Sequence, residues 1–379
     1  MFSHRLQWDL PRNPLSTLHE EKRRAGARIL DLTESNPTQA GFDYPEREML
    51  AALADPQGIR YDPAPRGHAS AREAVANYYW QRGRDVAPSN ILLTASTSEA
   101  YGYLFKLLAD PGDEILTPRP SYPLFEFLAD LESVRVRQYP LRYDGGWHID
   151  FDELERAITP RTRAIVVVNP NNPTGSFLKP EESERLQVLA SERGIAILMD
   201  EVFLDYGFRS AGKLAPPRAL TFWMSGLSKI AGLPQMKLGW IAAGGEGHKA
   251  ALERLELIAD TFLSVATPVQ VALPALLALS EGPREQIRQR TQINRAWMTA
   301  ARAGSEFQLL NTEGGWSGIL QVPRIRGEEE WALMALGLHD VLVQPGFFFD
   351  FESEAFLVIS LLTRSDVLEE GFKRLLAMI

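Results

Sequence analysis

Short apolar runs alternate with helical patterns through the middle of the chain. Apolar runs bounded by turn residues predict strands that are buried on both faces. Between these runs, apolar residues recur at the three- and four-residue spacing of one helix face. The predicted strands cover residues 91–94, 114–117, 134–136, 164–168, 196–199 and 220–223, and predicted helices cover residues 98–108, 123–131 and 180–193. The alternation predicts an α/β fold with a mostly parallel sheet covered by helices.

The last quarter of the chain has a different pattern. Residues 281–304 predict a long amphipathic helix, with Ile287, Ile293 and Trp297 on its apolar side. A glycine-rich turn, a strand at 319–322 and a helix at 366–378 follow it. This pattern indicates a smaller α+β domain that the N-terminal segment joins. The predicted division is a large domain of residues 43–284 and a small domain of residues 1–42 and 285–379.

Composition narrows the function classes. The 379 residues are 45% hydrophobic and 23% charged, which is typical of a globular protein with a large core. The net charge of -9 disfavours a general nucleic-acid binder, and the absence of cysteine excludes disulfides and thiolate metal sites. The six histidines show no metal-ligand spacing, so no metal is predicted. With neither a signal peptide nor an apolar run of membrane-spanning length in the sequence, we predict a cytoplasmic protein without a membrane partner.

The first candidate for chemistry is Lys229, which ends the segment Met-Ser-Gly-Leu-Ser-Lys at residues 224–229. Its small neighbours leave room for a bulky partner to reach the amine. Desolvation lowers the pKa of a lysine amine, and the neutral amine can act as a nucleophile toward an aldehyde and form a Schiff base. Taken alone, the segment favours a surface lysine in a loop over a catalytic one.

Two further motifs precede this lysine in the chain. They are Asn-Asn-Pro-Thr-Gly at residues 171–175 and Asp-Glu-Val-Phe at residues 200–203. The ordered set resembles the class I/II aminotransferases, which are fold-type-I pyridoxal-phosphate enzymes, and the resemblance extends from about residue 32 to the C-terminal helix. It implies that the large domain binds pyridoxal 5'-phosphate and that the active site lies in the cleft between the domains. The implied reaction moves an amino group from an amino acid or amine to a 2-oxo acid.

The resemblance also implies roles for individual residues. Lys229 would form the Schiff base with the cofactor and move the substrate proton, and Asp200 would pair with the protonated pyridine nitrogen. Asn172 would hydrogen-bond the ring 3'-oxygen, although a turn asparagine is the simpler interpretation. Tyr122 would stack on the ring, with a core tyrosine as the alternative. The implied phosphate ligands are Thr97, Ser98, Ser228, Lys237 and, from the neighbouring subunit of a homodimer with shared active sites, Tyr61.

The sequence departs from the family pattern at several positions. Phe203 stands where a tyrosine usually donates to the ring oxygen, Gly226 replaces a common serine, and Lys237 replaces an arginine. Val358 occupies the place of the arginine that binds the substrate carboxylate, so we predict poor turnover of aspartate. Either another arginine replaces it or the substrate lacks a simple α-carboxylate. The predicted substrate-binding residues are Glu34, Asn36 and Arg364, with Arg66 as a second candidate arginine and residues 347–349 as a candidate apolar wall.

Two other functions are compatible with the same motifs. A lyase, decarboxylase or oxidase on this scaffold would explain the missing arginine at position 358. A non-catalytic regulator that binds pyridoxal phosphate is less favoured, because Lys229 is intact and a domain without catalysis has no need of it.

Overall fold

The computed structural model describes residues 2–6, 8, 12–208 and 212–378. The helices are α1 Pro14–Arg24, α2 Glu46–Leu53, α3 Ala69–Trp80, α4 Thr97–Leu108, α5 Leu124–Leu131, α6 Phe151–Ala157, α7 Pro180–Arg193, α8 Leu227–Ile230, α9 His248–Phe262, α10 Thr267–Leu279, α11 Glu281–Ala301, α12 Glu328–His339 and α13 Ser365–Leu376. The strands are β1 Leu30–Asp31, β2 Ile91–Thr94, β3 Glu114–Arg119, β4 Arg135–Tyr143, β5 Trp147–Ile149, β6 Thr162–Val168, β7 Ala196–Asp200, β8 Thr221–Gly226, β9 Gly239–Gly244, β10 Gln308–Leu309, β11 Ser317–Gln321, β12 Val341–Leu342, β13 Gln344–Pro345 and β14 Phe356–Ser360.

The main sheet has the strand order β2-β9-β8-β7-β6-β3-β4-β5. The central pairs from β8 to β4 are parallel, whereas β9 runs antiparallel to both of its neighbours and β5 runs antiparallel to β4. All six strands predicted in the middle of the chain lie in this sheet, so the mostly parallel α/β fold is confirmed. The prediction missed β9, whose glycines and alanines give little strand signal.

The central strands are buried on both faces, as their continuous apolar runs require. Every residue of β7 and β8 is buried. Ile165 and Ile197 pack into one core, and Val166 and Leu198 pack into the core on the opposite face. Burying each such side chain stabilises the fold by about 1.5–3 kcal/mol. The sheet is therefore a rigid platform whose loops carry the polar motifs.

One predicted strand is much longer in the structure. The apolar pattern gave residues 134–136, but β4 extends from Arg135 to Tyr143. Residues 135–140 of this strand pair with β3, and residues 141–143 pair with β5. Exposed arginines at alternate positions interrupt the apolar run, so the apolar pattern does not predict the full length of this strand.

A second sheet, with the antiparallel order β10-β11-β14-β13, forms the C-terminal part. The N-terminal strand β1 pairs with β12 and thereby ties the start of the chain to this part. The long helix α11 is confirmed, but the prediction that Ile293 lies on its apolar side is wrong, because this side chain is 59% exposed. The buried face instead contains Ile287 and Asn294, whose amide donates to the carbonyls of Leu361 and Thr363.

Within the described ranges, no helix combines the length and the apolar character that crossing a bilayer requires.

Candidate active site

A cleft of about 400 Å³ opens where the central strands of the main sheet end. Val168, Asp200 and Gly226 are the last residues of β6, β7 and β8, and all three line it. The carboxyl ends of parallel strands meet at one edge of a sheet, which is the usual ligand site of such folds. Residues of β11, β13 and β14 line the opposite side, so the cleft lies between the two sheets.

Lys229 projects into this cleft from α8, directly after β8. Its backbone carbonyl accepts a hydrogen bond of 2.6 Å from the hydroxyl of Tyr206. Its Nζ lies 5.8 Å from the centroid of the Phe203 ring and 5.1 Å from that of the Trp316 ring. Burial lowers the pKa of the amine, and the negative charge of Asp200 partly opposes this shift. A larger neutral fraction makes the amine a better nucleophile.

Asp200 is buried at the end of β7. Its Oδ2 accepts a hydrogen bond of 2.9 Å from the hydroxyl of Tyr101, and its Oδ1 accepts one of 3.1 Å from the backbone N–H of Val202. Both donors are neutral. Burial raises the pKa of the carboxyl to about 6, although these hydrogen bonds and Lys229 lower it. The cleft therefore holds an acid that would gain from a nearby cation.

The neighbouring acid, Glu201, serves a different purpose. Successive side chains of a strand point to opposite faces, and Glu201 points away from the cleft lining. Its two oxygens accept hydrogen bonds of 2.6 Å from both terminal nitrogens of Arg84. This bidentate pair joins the turn after α3 to the end of β7, so Glu201, which is buried, has a structural contact of its own.

Asn172 lies in the turn that follows β6 and lines the cleft. Its Oδ1 accepts a hydrogen bond of 3.2 Å from the hydroxyl of Ser317. This bond orients the side-chain amide and leaves its nitrogen available as a donor. Asn169 and Asn171 instead use their oxygens within the turn, where they accept from the backbone of Leu178 and from Thr174 respectively.

The start of helix α4 forms another side of the cleft. Ser96 is the N-cap, and its hydroxyl accepts a hydrogen bond of 3.2 Å from the backbone N–H of Glu99. Thr97 and Ser98 are the first two helical residues, and the first N–H groups of a helix have no partner within it. Such a terminus binds anions, and Lys237 adds a positive charge to the same cleft.

Ser228 and Tyr122 also line the cleft, and Tyr122 is 48% exposed there. The cleft thus unites the predicted site residues of this chain that surround the lysine: Thr97, Ser98, Tyr122, Asn172, Asp200, Ser228, Lys229 and Lys237. Of the three consecutive phenylalanines proposed as an apolar wall, Phe349 lines the cleft, whereas Phe347 is 41% exposed elsewhere.

The structure does not bring the predicted substrate-binding residues into the cleft lining. The carboxylate of Glu34 accepts a hydrogen bond of 2.7 Å from the backbone N–H of Asn36, and the side chain of Asn36 accepts from Thr38. Arg364 forms an ion pair of 3.0 Å with Asp366, with most of its side chain exposed. In each case a partner nearby in sequence satisfies the polar group.

The other candidate arginine, Arg66, lies 2.7 Å from Glu256 in an ion pair and also donates to the carbonyl of Ser89. It too is absent from the residues that line the cleft. Tyr61 is 80% exposed and lies outside the cleft of its own chain.

Sequence reasoning missed several cleft residues. Tyr101 follows Thr97 by four residues, so its position on the same face of α4 could have been read from the helical period. Trp316 stands in the glycine-rich turn before β11, an unusual place for so large a side chain. Ser317 and Gln344 carry no local signal, because only the pairing of strands brings them to the cleft.

The residues fit pyridoxal phosphate. The buried carboxyl of Asp200 suits a protonated ring nitrogen, and the half-buried amine of Lys229 suits an aldehyde. The free N–H groups of α4 and the charge of Lys237 suit a phosphate. The described residues contain no cluster of three or more acidic or histidine side chains that could hold a metal ion.

Comparison with known proteins identifies the family. The model of the family "Aminotransferase class I and II" matches residues 27–375. The chain is similar to the glutamate-pyruvate aminotransferase AlaA of Escherichia coli, with 33% identity over 74% of this chain and 72% of that protein. The structure is similar to an alanine aminotransferase from Pyrococcus furiosus, with a TM-score of 0.89, 25% identity and coverage of 99% and 98% of the two chains.

It is also similar to a mutant of the aspartate aminotransferase of Thermus thermophilus, with a TM-score of 0.87, 25% identity and complete coverage of both chains. These relatives give no support to a lyase, decarboxylase or oxidase. The chain therefore belongs to the class I and II aminotransferases, as a pyridoxal-phosphate-dependent enzyme that transfers an amino group from an amino donor to a 2-oxo acid.

Proposed function

We propose that Lys229 is both the cofactor anchor and the base that moves the proton at the substrate α-carbon. The observation that carries this proposal is the half-buried amine of Lys229, whose pKa is lowered by burial, in one cleft with the buried carboxyl of Asp200. Bound pyridoxal phosphate supplies an electron sink for the cleavage of bonds at the α-carbon. Lys229 can accept the proton when it is neutral and return it once charged.

Three side chains would orient the ring. Asp200 would keep its nitrogen protonated, because a cation so close to a buried carboxylate is strongly favoured. The amide nitrogen of Asn172, oriented by Ser317, would donate to the ring oxygen. Tyr122 would cover one face of the ring. Phe203 has no hydroxyl to add a second donor, so Asn172 carries this contact without the help of that position.

The phosphate would be held at the start of α4. Its first N–H groups, the hydroxyls of Thr97, Ser98 and Ser228, and the ammonium of Lys237 all border the cleft. Lys237 would contribute a point charge, whereas an arginine would form a bidentate fork. We therefore expect the affinity for the cofactor phosphate to depend more on the start of α4 than on the charge of Lys237.

We propose further that two chains form a homodimer with shared active sites. Tyr61 and Ile59 are 80% and 91% exposed, and Leu50 and Leu257 are also exposed. A second chain that covers such side chains would remove their apolar surface from water, which stabilises association. Tyr61 would reach the phosphate bound in the neighbouring subunit, as the family resemblance implies.

Cofactor attachment tests the proposal directly. Borohydride reduction of the purified enzyme should fix pyridoxal phosphate to Lys229, and peptide mapping locates the label. The Lys229→Ala variant should retain some cofactor without a covalent bond and lose nearly all turnover, because both the anchor and the base are removed. Lys237→Ala is the matched control and should still be labelled at Lys229. A label on any other lysine of the wild-type enzyme would contradict the assignment.

The division into domains of residues 43–284 and residues 1–42 with 285–379 stays a prediction, and its boundary falls in the first turn of α11. The cytoplasmic location also stays a prediction, and we propose a role in amino acid metabolism.

A further inference from the structure

One side of the cleft is a single face of the second sheet. In the register of its antiparallel strands, Val358 of β14 pairs with Gln344 of β13, and Ser360 pairs with Ser317 of β11. Directly opposed residues of antiparallel strands project to the same face, and residues two apart on one strand do so as well. All four therefore share one face, and all four line the cleft.

This face carries no charge. Among the described residues that line the cleft, the charged ones are Asp200, Lys229 and Lys237. Asp200 ends β7, Lys229 lies in α8 directly after β8, and Lys237 lies just before β9. All three are thus positioned by the main sheet, and none lies on the second sheet. The substrate side of the cleft consequently lacks the cation that would grip a carboxylate with two parallel hydrogen bonds.

The two serines of this face are already engaged. The hydroxyl of Ser317 donates to Asn172. The hydroxyl of Ser360 donates to the carbonyl of Glu34 and accepts from the backbone N–H of Leu362. Neither serine has a free proton to offer a substrate.

Gln344 differs from them. Its side-chain amide has no hydrogen-bond partner within the part of the chain that the structure describes, although the residue is half-buried in the cleft wall. Because this amide borders the cleft and has no partner among the described residues, it is available to hydrogen-bond a ligand there. Its two N–H donors are the free donors on the face of the second sheet.

We propose that Gln344 is the specificity-determining residue that hydrogen-bonds the substrate carboxylate. This inference rests on the proposed function, since it concerns the substrate of that same cleft. A neutral amide can bind one carboxylate, and this face of the second sheet provides no cation for a second one. Tyr122, Leu124 and Phe349 give the cleft an apolar flank. The substrate class is therefore a 2-amino acid, with its 2-oxo acid, that has one carboxylate and an uncharged side chain.

Binding of propionate to the cofactor-loaded enzyme tests this proposal without chemistry, because propionate has a carboxylate but no amine. Calorimetric titration should show binding by the wild type, and Gln344→Leu should weaken it by about tenfold, as expected for the loss of one hydrogen bond to a charged group. Gln344→Glu should weaken it further, since this variant keeps the shape and places a like charge beside the carboxylate. The matched control, Gln308→Leu, changes an exposed glutamine of the same sheet and should leave propionate binding unchanged.

A second experiment tests whether the affinity for propionate can be increased. Val358→Arg adds a cation directly opposite Gln344, so it should tighten propionate binding and lower the KM for glutamate relative to alanine. Wild-type affinity in both Gln344 variants, or no propionate binding by the wild-type enzyme, would overturn the proposal. Borohydride labelling of the same samples separates the two ideas. If Lys229 is labelled, the failure concerns Gln344 alone, and if it is not, the proposed function has failed.

Discussion

Burial favours the neutral forms of Asp200 and Lys229, which carry opposite charges when they are ionised. The pKa of Asp200 rises to about 6, and the pKa of Lys229 falls below its ordinary value. Folding thus places a carboxyl and an amine where neither is fully stabilised by protein groups. This arrangement costs stability in the protein alone and favours a bound group that carries a cation and an aldehyde. It is a common property of catalytic sites.

The raised pKa of Asp200 predicts a specific pH dependence for the cofactor-free protein. Between about pH 4 and 6 the folded state binds more protons than the unfolded state, so the free energy of unfolding falls as the pH rises through this interval. Asp200→Asn removes this contribution. The unfolding free energy of the variant relative to wild type should therefore increase between pH 4 and 7, by about 2–3 kcal/mol. Denaturant unfolding of both proteins at several pH values measures the difference.

Glu201→Gln is the control for this prediction. It removes a charge one residue away, but it leaves Arg84 without its buried partner, so it should destabilise the protein by about 3 kcal/mol at pH 7. A relative stability of Asp200→Asn that does not change with pH would mean that the pKa of Asp200 is ordinary in the folded protein.

At the scale of elements, the cleft depends on the close approach of β8, β9 and the start of α4. Gly226 and Gly239 are direct partners in the pairing of β8 with β9. A Cβ at Gly226 would lie 2.8 Å from the Cα of Gly239 and 2.9 Å from the carbonyl oxygen of Leu238, and a Cβ at Gly239 would lie 3.1 Å from the carbonyl carbon of Ser96. Two glycines thus bring α8, which carries Lys229, and the start of α4, the proposed phosphate site, to one cleft.

Gly226→Ala should therefore destabilise the protein by about 1–3 kcal/mol, because backbone atoms must shift to admit the methyl group. It should also weaken cofactor affinity, since the shift separates α8 from α4. Thermal unfolding and cofactor titration measure the two effects. Gly146→Ala is the matched control, as nothing lies within 4 Å of its added Cβ. Equal behaviour of the two variants would show that the approach of β8 and β9 is not tight in solution.

At the scale of the whole molecule, the proposed dimer determines whether each cleft is complete. Tyr61 is outside the cleft of its own chain and strongly exposed, so a role at the phosphate requires a second chain. Tyr61 and the residues that follow it, Asp62 to Pro65, border a groove with Leu263 and Thr267. The assembly therefore bears directly on cofactor binding.

Mixed dimers test this role. Tyr61→Ala and Lys229→Ala should each lower activity strongly when prepared alone. After the two variants are mixed and allowed to exchange subunits, half of the clefts in a mixed dimer contain an intact Tyr61 and an intact Lys229. Activity should partly return, and sedimentation should show dimers throughout. A fully active monomer, or no recovery after demonstrated exchange, would contradict the shared site.

The sequence by itself determined the central parallel strands and the polar residues that follow them. Continuous apolar runs such as 164–168 encode burial locally, and turn residues mark where strands end. Asp200 and Lys229 could therefore be placed at one edge of a parallel sheet from their positions in the chain. The first residues of α4 could be assigned for the same reason, because a helix terminus is a local feature with its own capping residue.

The tertiary structure alone decided the substrate side. The sequence analysis assigned Glu34 and Arg364 to substrate binding, but each has a polar partner two residues away. The order of residues alone does not show whether such a local contact forms. Gln344 and Ser317 reach the cleft through strand register, which depends on residues far apart in the chain and changes face with a slip of one position. Local patterns determine which secondary structure a segment forms, whereas long-range strand pairing determines which residues its side chains contact.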